Sequence, residues 1–222
     1  MAKTITHNED NTSSFWGDKD HLEVAQQTSF VTMIYELLTE KAPSKEQLEI
    51  FELILKLSID HGPDTPSAVP TIAAAQAGKS LTESLAEGLL QINDHHGGAV
   101  GPCMEFLYKI KSEELDVKQT ITEYLAEKKL IGGFGHRIYT IDPRTQLIFQ
   151  KLTDLGFDST FIELATQIQV ELSEQKGRVL PINIDGAIAV ALCTWGWEPK
   201  LANAVFVIAR VPGLCGHFLN NA

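Results

Sequence analysis

The chain has 222 residues, 44% of them hydrophobic, enough to bury a core as one large domain or one domain carrying a smaller insertion. Its 29 acidic and 18 basic residues give a net charge of −11 with no dense basic patch, which argues against nucleic acid or an anionic membrane surface as partner. Cys103, Cys193 and Cys215 are widely spaced and form no Cys-x-x-Cys pair, so neither a disulfide framework nor a zinc site is indicated and a reducing cytoplasm is the expected compartment.

Residues 1–19 are rich in Asn, Thr, Ser and charge, read as a mobile or extended arm, and hold no signal-peptide core. Helical periodicity follows. Ser44 and Gln47 make a capping-box pattern before the apolar stripe of Leu48, Phe51, Leu53, Ile54 and Leu57, and that helix stops at His61-Gly62-Pro63. Ser80 and Glu83 repeat the device before Leu81, Leu85, Leu89 and Leu90. Further helices are predicted over 100–110, 113–128, 143–155 and 159–175, with Gly156 as a C-terminal stop. Two buried helices close the chain, over 184–195 and 201–219, the second bent or interrupted at Pro212-Gly213. Strand-like alternation is nearly absent, and only the apolar run 179–184 competes as an extended segment, so the fold class is all-α. Apolar runs are broken by charge or proline before reaching membrane-spanning length.

Chemistry concentrates at a few places. Gly132-Gly133-Phe134-Gly135-His136-Arg137-Ile138-Tyr139 joins a permissive glycine loop to a histidine able to exchange a proton near neutral pH. Asp142 then suits a helix N-cap, Pro143 the first helical position, and Arg144 the first turn, where an anion can be held. Asp60-His61-Gly62 and Asp94-His95-His96-Gly97-Gly98 each deliver imidazoles just past a helix end. The paired His invites a metal, but no third ligand stands at a diagnostic spacing, so no metal is assigned. In Ile182-Asn183-Ile184-Asp185-Gly186 the carboxylate of Asp185 reads either as a helix cap or as a general base made more basic by apolar surroundings. Arg210 lies in so apolar a helix that its guanidinium must turn to a structural partner or a ligand.

Taken together these segments resemble the citrate synthase superfamily, and are most similar to its citryl-CoA lyase branch, the lyase module of ATP-citrate lyase. The resemblance runs from about Phe30 to Leu219 and includes Pro66-Ser67-Ala68 and the tail Gly216-His217-Phe218-Leu219. It implies a large helical domain over 20–97 plus 185–222, with a smaller inserted domain over 98–184 on the coenzyme A side. It further implies that His96 polarises the thioester carbonyl of acetyl-CoA and that Asp185 exchanges the methyl proton. His136 exchanges the proton of the hydroxyl or ketone oxygen, while His61, Arg144 and Arg210 hold the carboxylates of the citrate portion. Gly133, Phe134, Gly135 and Arg137 would line the coenzyme A side. No cofactor is bound covalently; the coenzyme A thioester is substrate, alongside citryl-CoA, oxaloacetate and citrate, and the family's packing implies a homodimer.

The sequence departs from the family at Ser67-Ala68-Val69-Pro70, where a second histidine usually follows Ser-Ala, and lacks the usual Asn or Glu after the small residues that follow His96. Members usually continue past this chain's last residue with an arm bearing an arginine for the neighbouring subunit's site. The expected activity is cleavage of citryl-CoA to acetyl-CoA and oxaloacetate. The alternatives are a citrate synthase or related acyl-CoA condensing enzyme, or a partner-dependent subunit of a citrate lyase complex. With no ATP-grasp or phosphate-loop pattern, an ATP-dependent citrate-activating step would belong to a partner protein.

Overall fold

The computed structural model describes residues 5–10, 12–15, 19–93 and 96–222, and Asp94 and His95 of the double-histidine motif therefore lie outside it. The chain forms two compact units, Met1–Leu53 and Ile54–Ala222. The inserted domain expected over 98–184 lies wholly within the second.

The residues read as a mobile or extended arm carry short strands in the first unit. Strands β1 (Thr6–His7), β2 (Ser13–Phe15) and β3 (Lys19–Asp20) pair antiparallel in the order β1-β2-β3. Strands of two or three polar residues carry no alternation that a sequence can display. Helices α1 (His21–Gln27) and α2 (Phe30–Thr39), which periodicity had not picked out, are started by the Asp20 and Ser29 side chains, each accepting the backbone N–H three residues on. Tyr35 and Phe51, both buried, meet edge to face with ring centres 5.4 Å apart.

Helix α3 (Lys45–Ser58) starts with the expected reciprocal cap: Ser44 Oγ accepts the Gln47 N–H and Gln47 Oε1 accepts the Ser44 N–H. In the second unit α4 (Ala68–Gln76) had been missed, because its run of alanines paints no stripe. Helix α5 (Leu81–Leu89) carries the Ser80–Glu83 capping box. Helices α6 (Val100–Ser112), α7 (Val117–Ala126), α8 (Pro143–Asp154), α9 (Thr160–Lys176) and α10 (Ile184–Thr194) follow. Helix α7 begins later than expected because Asp116, whose carboxylate accepts the Gln119 N–H, sets the start, and Glu114 before it is left-handed at φ 48°. The run 179–184 forms no strand, only one bridge between Ile182 and Phe134.

Helix α10 is the axis of the unit. Every residue from Ile184 to Cys193 is buried, and the helix packs on α6, α8 and α9. After a 3₁₀ turn at Pro199–Leu201, α11 (Ala202–Leu219) packs on α4, α5 and α6. It runs through Pro212 without the expected interruption. At the next residue, Gly213, a Cβ would lie 2.0 Å from the Ile59 carbonyl oxygen, so only glycine lets the loop after α3 approach α11 this closely. The segment Pro199–Leu219, with mean hydropathy 1.4 over its window, also corrects the expectation that no apolar run reaches membrane-spanning length. Its buried face, including Phe206, Ala209, Arg210 and Leu214, belongs to the core of the unit.

Candidate active site

Three helix-end segments and three helices of the second unit converge on one cleft of about 240 Å³. His61 and Thr65 come from the loop after α3, His96 and Gly97 from the turn after α5, and Gly135, His136 and Arg137 from the glycine loop before α8. Arg144, Asp185 and Arg210 enter from the helices α8, α10 and α11. His96, His136 and Asp185, far apart along the chain, therefore face the same space, as do the three residues expected to hold carboxylates.

Asp185 is not the helix cap that one reading allowed. Asn183 caps α10, its side chain accepting the Gly186 N–H, which leaves Asp185 in the first turn and 7% exposed. Its Oδ2 accepts the Gly97 N–H at 3.2 Å, whereas Oδ1 is buried with no hydrogen-bond partner among the described residues. Burial pushes the carboxyl up to about 6, against the opposing pull of the Gly97 amide and of the Arg144 and Arg210 charges. Gly97 can serve because it has none of the side chain that would collide with Phe206: a Cβ there would come within 2.1 Å of that ring, and its φ is 71°.

His96 stands on the other side of Gly97, its Nε2 2.9 Å from Ser67 Oγ. Arg210, 1% exposed, donates from Nε to the Ser58 carbonyl oxygen at 2.9 Å and from Nη1 to Ser67 Oγ at 3.5 Å, with its guanidinium 4.8 Å from the Phe206 ring centre. Arg210 can only donate, so the Ser67 hydroxyl accepts from it; where that hydroxyl gives its own proton to His96 Nε2, the His96 proton sits on Nδ1. Burial first, and the Arg210 charge second, lower His96 to about 4, so it is a neutral hydrogen-bond donor. Ser67 entered the sequence reading as part of the Pro66-Ser67-Ala68 stretch and as the neighbour of a missing histidine, with no role of its own. Nothing local marks it, because its partners lie 29 and 143 residues away.

The opposite wall is built mostly from neighbours in sequence, with His61 joining it from the loop after α3. Asp142 caps α8 by accepting the Arg144 N–H, and its carboxylate also grips the Arg144 guanidinium in a fork, Nε to Oδ1 at 3.0 Å and Nη2 to Oδ2 at 2.7 Å. Burial alone would raise the Asp142 carboxyl, but the bonds and charge of Arg144 outweigh it and hold it below the ordinary carboxylate range. His136 Nδ1 accepts the backbone N–H groups of both Ile138 and Tyr139 at 3.0 Å, and Tyr139 stacks on the ring. His61 Nε2 lies 3.2 Å from His136 Nε2. Burial is the first cause lowering both imidazoles, joined for His61 by the Arg144 charge; for His136 the Asp142 charge opposes it.

The glycine loop divides. Gly135 and Arg137 border the cleft, Arg137 donating from Nη1 to the Asp64 carbonyl oxygen. Gly133 and Phe134 sit behind it instead. The Gly133 carbonyl accepts the Asn183 N–H, and a Cβ on Gly133 would lie 2.6 Å from Cys103 Sγ. Phe134 bridges to Ile182. These two residues clamp the loop to the start of α10. Behind the other wall, Asp60 Oδ1 pairs with His217 Nε2 at 2.8 Å and Oδ2 accepts the Gly62 N–H, tying the His61 loop to α11. Among the described residues no group of three or more His, Cys, Asp or Glu side chains is arranged to hold a metal ion.

An all-α scaffold with imidazoles, arginines and one perturbed carboxyl around a single cleft fits the resemblance read from the motifs. Residues 2–222 match the family described as citrate synthase, C-terminal domain, and the chain belongs to that family. Its structure is similar to that of citryl-CoA lyase from Hydrogenobacter thermophilus, with a TM-score of 0.89 and 32% identity, covering 100% of this chain and 86% of that one. It shares its fold with the ATP citrate lyase of Methanosaeta concilii, solved as a D541A mutant with (3S)-citryl-CoA, at a TM-score of 0.87 and 24% identity, covering 99% of this chain and 38% of that one. In sequence it is 30% identical over 189 residues to ATP-citrate synthase subunit 1 of Sordaria macrospora, covering 78% of this chain. The chain spans 28% of that relative's length.

Proposed function

We propose that this protein is a citryl-CoA lyase, cleaving (3S)-citryl-CoA to acetyl-CoA and oxaloacetate. The observation that carries the proposal is the buried Asp185 oxygen left without a partner among the described residues, in a cleft that also holds the two imidazoles. The similarity to the Hydrogenobacter lyase over the whole chain supports it. A carboxyl raised toward neutrality can exist as the acid, and its free oxygen can hand a proton to carbon.

In the cleavage direction the hydroxyl on the oxaloacetate-derived carbon gives up its proton to the His61–His136 wall. The carbon–carbon bond breaks, and its electron pair becomes an enolate on the acetyl thioester. The protonated Nδ1 of His96 faces that oxygen, where a donor held in place by Ser67 and Arg210 stabilises charge as it forms. Asp185 then protonates the methylene carbon to complete acetyl-CoA. Arg144 and Arg210 hold the carboxylates, and Gly135 and Arg137 border the side from which the coenzyme A chain enters. The coenzyme A thioester is thus substrate, and the reaction calls for no bound cofactor. The domain inserted over 98–184, a homodimer, a cytoplasmic location and an ATP-dependent partner that activates citrate belong to the same proposal; relatives that carry the name ATP-citrate synthase on far longer chains support the last.

Incubation of the purified chain with citryl-CoA, and separately with acetyl-CoA plus oxaloacetate, while following oxaloacetate and free thiol, tests this. A lyase releases oxaloacetate without free thiol. Free thiol from acetyl-CoA plus oxaloacetate would instead make the chain a condensing synthase, and silence in both assays would make it a subunit that needs a partner.

A further inference from the structure

We propose that Asn183 is a positioning residue: with one side chain it holds the loop that ends in His136 in register with the helix that carries Asp185. This rests on the lyase reading above, in which those two groups exchange protons with the same substrate.

The glycine loop and the start of α10 meet along a short main-chain ladder. The Asn183 N–H donates to the Gly133 carbonyl oxygen at 3.0 Å, and the Gly135 N–H donates to the Pro181 carbonyl oxygen at 2.7 Å, on either side of the bridge between Phe134 and Ile182. The ladder stops there, one residue before His136. Gly133 and Gly135 are both left-handed, at φ 86° and 92°, and glycine leaves such a loop with other conformations open. The Asn183 side chain carries the pairing one step further, its Nδ2 donating to the Gly135 carbonyl oxygen at 2.9 Å. Its Oδ1 at the same time accepts the Gly186 N–H at 3.2 Å as the cap of α10.

These two backbone partners settle which amide atom is which, because an N–H faces one and a carbonyl oxygen faces the other. They also define the residue type. Aspartate could cap the helix but, ionised, has no proton for Gly135; serine caps equally well, but its one oxygen, a bond closer to the backbone, cannot meet both peptides. A single amide thus joins the residue before His136 to the turn that holds Asp185. The amides of Ile138 and Tyr139 set how the His136 ring lies within its own loop, and Asn183 sets where that loop lies against α10. A misplacement of about 1 Å between reacting groups costs on the order of 100-fold in rate. Asn183 borders the cleft as well, so direct contact with substrate is the alternative to positioning.

Asn183→Ser and Asn183→Asp both keep a cap for α10 and remove the donor to Gly135. With citryl-CoA each is expected to lower kcat roughly 10–100-fold, with KM within about 3-fold of wild type. Amide hydrogen exchange, followed by NMR on the unliganded chains, reads the tether itself. Exchange at Gly135 should quicken by about 10-fold or more, while Ala187, whose N–H bonds the Asn183 carbonyl oxygen at 2.9 Å, keeps its protection. A kcat within about 3-fold of wild type overturns the proposal, and a KM rise with kcat spared overturns it by making Asn183 a substrate contact. So does unchanged exchange at Gly135, or a loss of protection at Ala187 alongside it, which would make the residue a helix cap and nothing more. If the wild-type chain leaves citryl-CoA intact, the lyase reading fails, and the exchange pattern alone then decides whether Asn183 holds the loop.

Discussion

The two walls of the cleft each hold an imidazole in place, but by opposite means. His136 is fixed by its own neighbours, two amides two and three residues on. His96 is fixed by a hydroxyl 29 residues back, itself held by an arginine 143 residues further along. A local device forms wherever the segment folds; a distant one exists only when α4, the turn after α5, and α11 are packed together. The His96 wall therefore depends on the integrity of the whole unit, whereas the His136 wall is largely built into one stretch of chain. On that wall burial, with the Arg210 charge second, lowers the His96 imidazole to about 4.

The largest effect is expected where the walls meet. Asp185→Asn removes the exchangeable proton and should lower kcat by at least ~10³-fold with little change in KM, as measured by oxaloacetate release from citryl-CoA. The same substitution has a stability signature. The native carboxyl is raised from 3.8 to about 6, so the folded state binds a proton more tightly than the unfolded chain, and wild-type stability falls as pH rises through that window. Asn does not titrate. The stability of the variant relative to wild type should therefore improve between pH 4 and pH 7 by something on the order of 2–3 kcal/mol, read by thermal melts across that range. A constant difference across those pH values would mean that the carboxyl is not raised in the fold.

Ser67→Ala strikes the distant wall alone. The hydroxyl that fills His96 Nε2 disappears, the ring is free to change tautomer, and the enolate loses its aligned donor. A drop in kcat of roughly 10–100-fold is expected, with His96 losing its Nδ1–H signature in the nitrogen-15 spectrum. The His136 signals should be unmoved. Were both rings to respond, the walls would be coupled and the contrast between them would fail.

The same contrast separates what the sequence disclosed from what it hid. Asp142, Pro143 and Arg144 were legible as cap, first helical residue and first-turn cation because all three roles are decided within one turn. The two capping boxes were legible for the same reason. Arg210 could be read as needing a partner from the apolar helix around it, yet nothing nearby named Ser58 and Ser67, 152 and 143 residues away. Asp185 could be cap or base, and only the position of Asn183 decided that the cap belonged elsewhere. The alanine-rich α4 and the strands of two or three residues escaped because neither displays a period.

The smallest effect should come from the local wall. Asp142→Asn keeps an oxygen to accept the Arg144 N–H, and Asn is as good an N-cap as Asp, so α8 should start where it does now. What is lost is the charge that holds the Arg144 fork. A freed guanidinium reaches a carboxylate less often, and KM for citryl-CoA should rise by about 3–10-fold while kcat stays within about 3-fold of wild type. The folded Asp142 carboxyl is held below 3.8, so its contribution to stability is present above the unfolded value and fades as pH falls toward the lower, folded one. Wild type should accordingly be the more stable at neutral pH, with the gap closing on acidification below pH 4. A loss of α8 helicity, or a kcat defect as deep as that of Ser67→Ala, would show that this wall too is held from a distance, and that sequence neighbours alone do not build it.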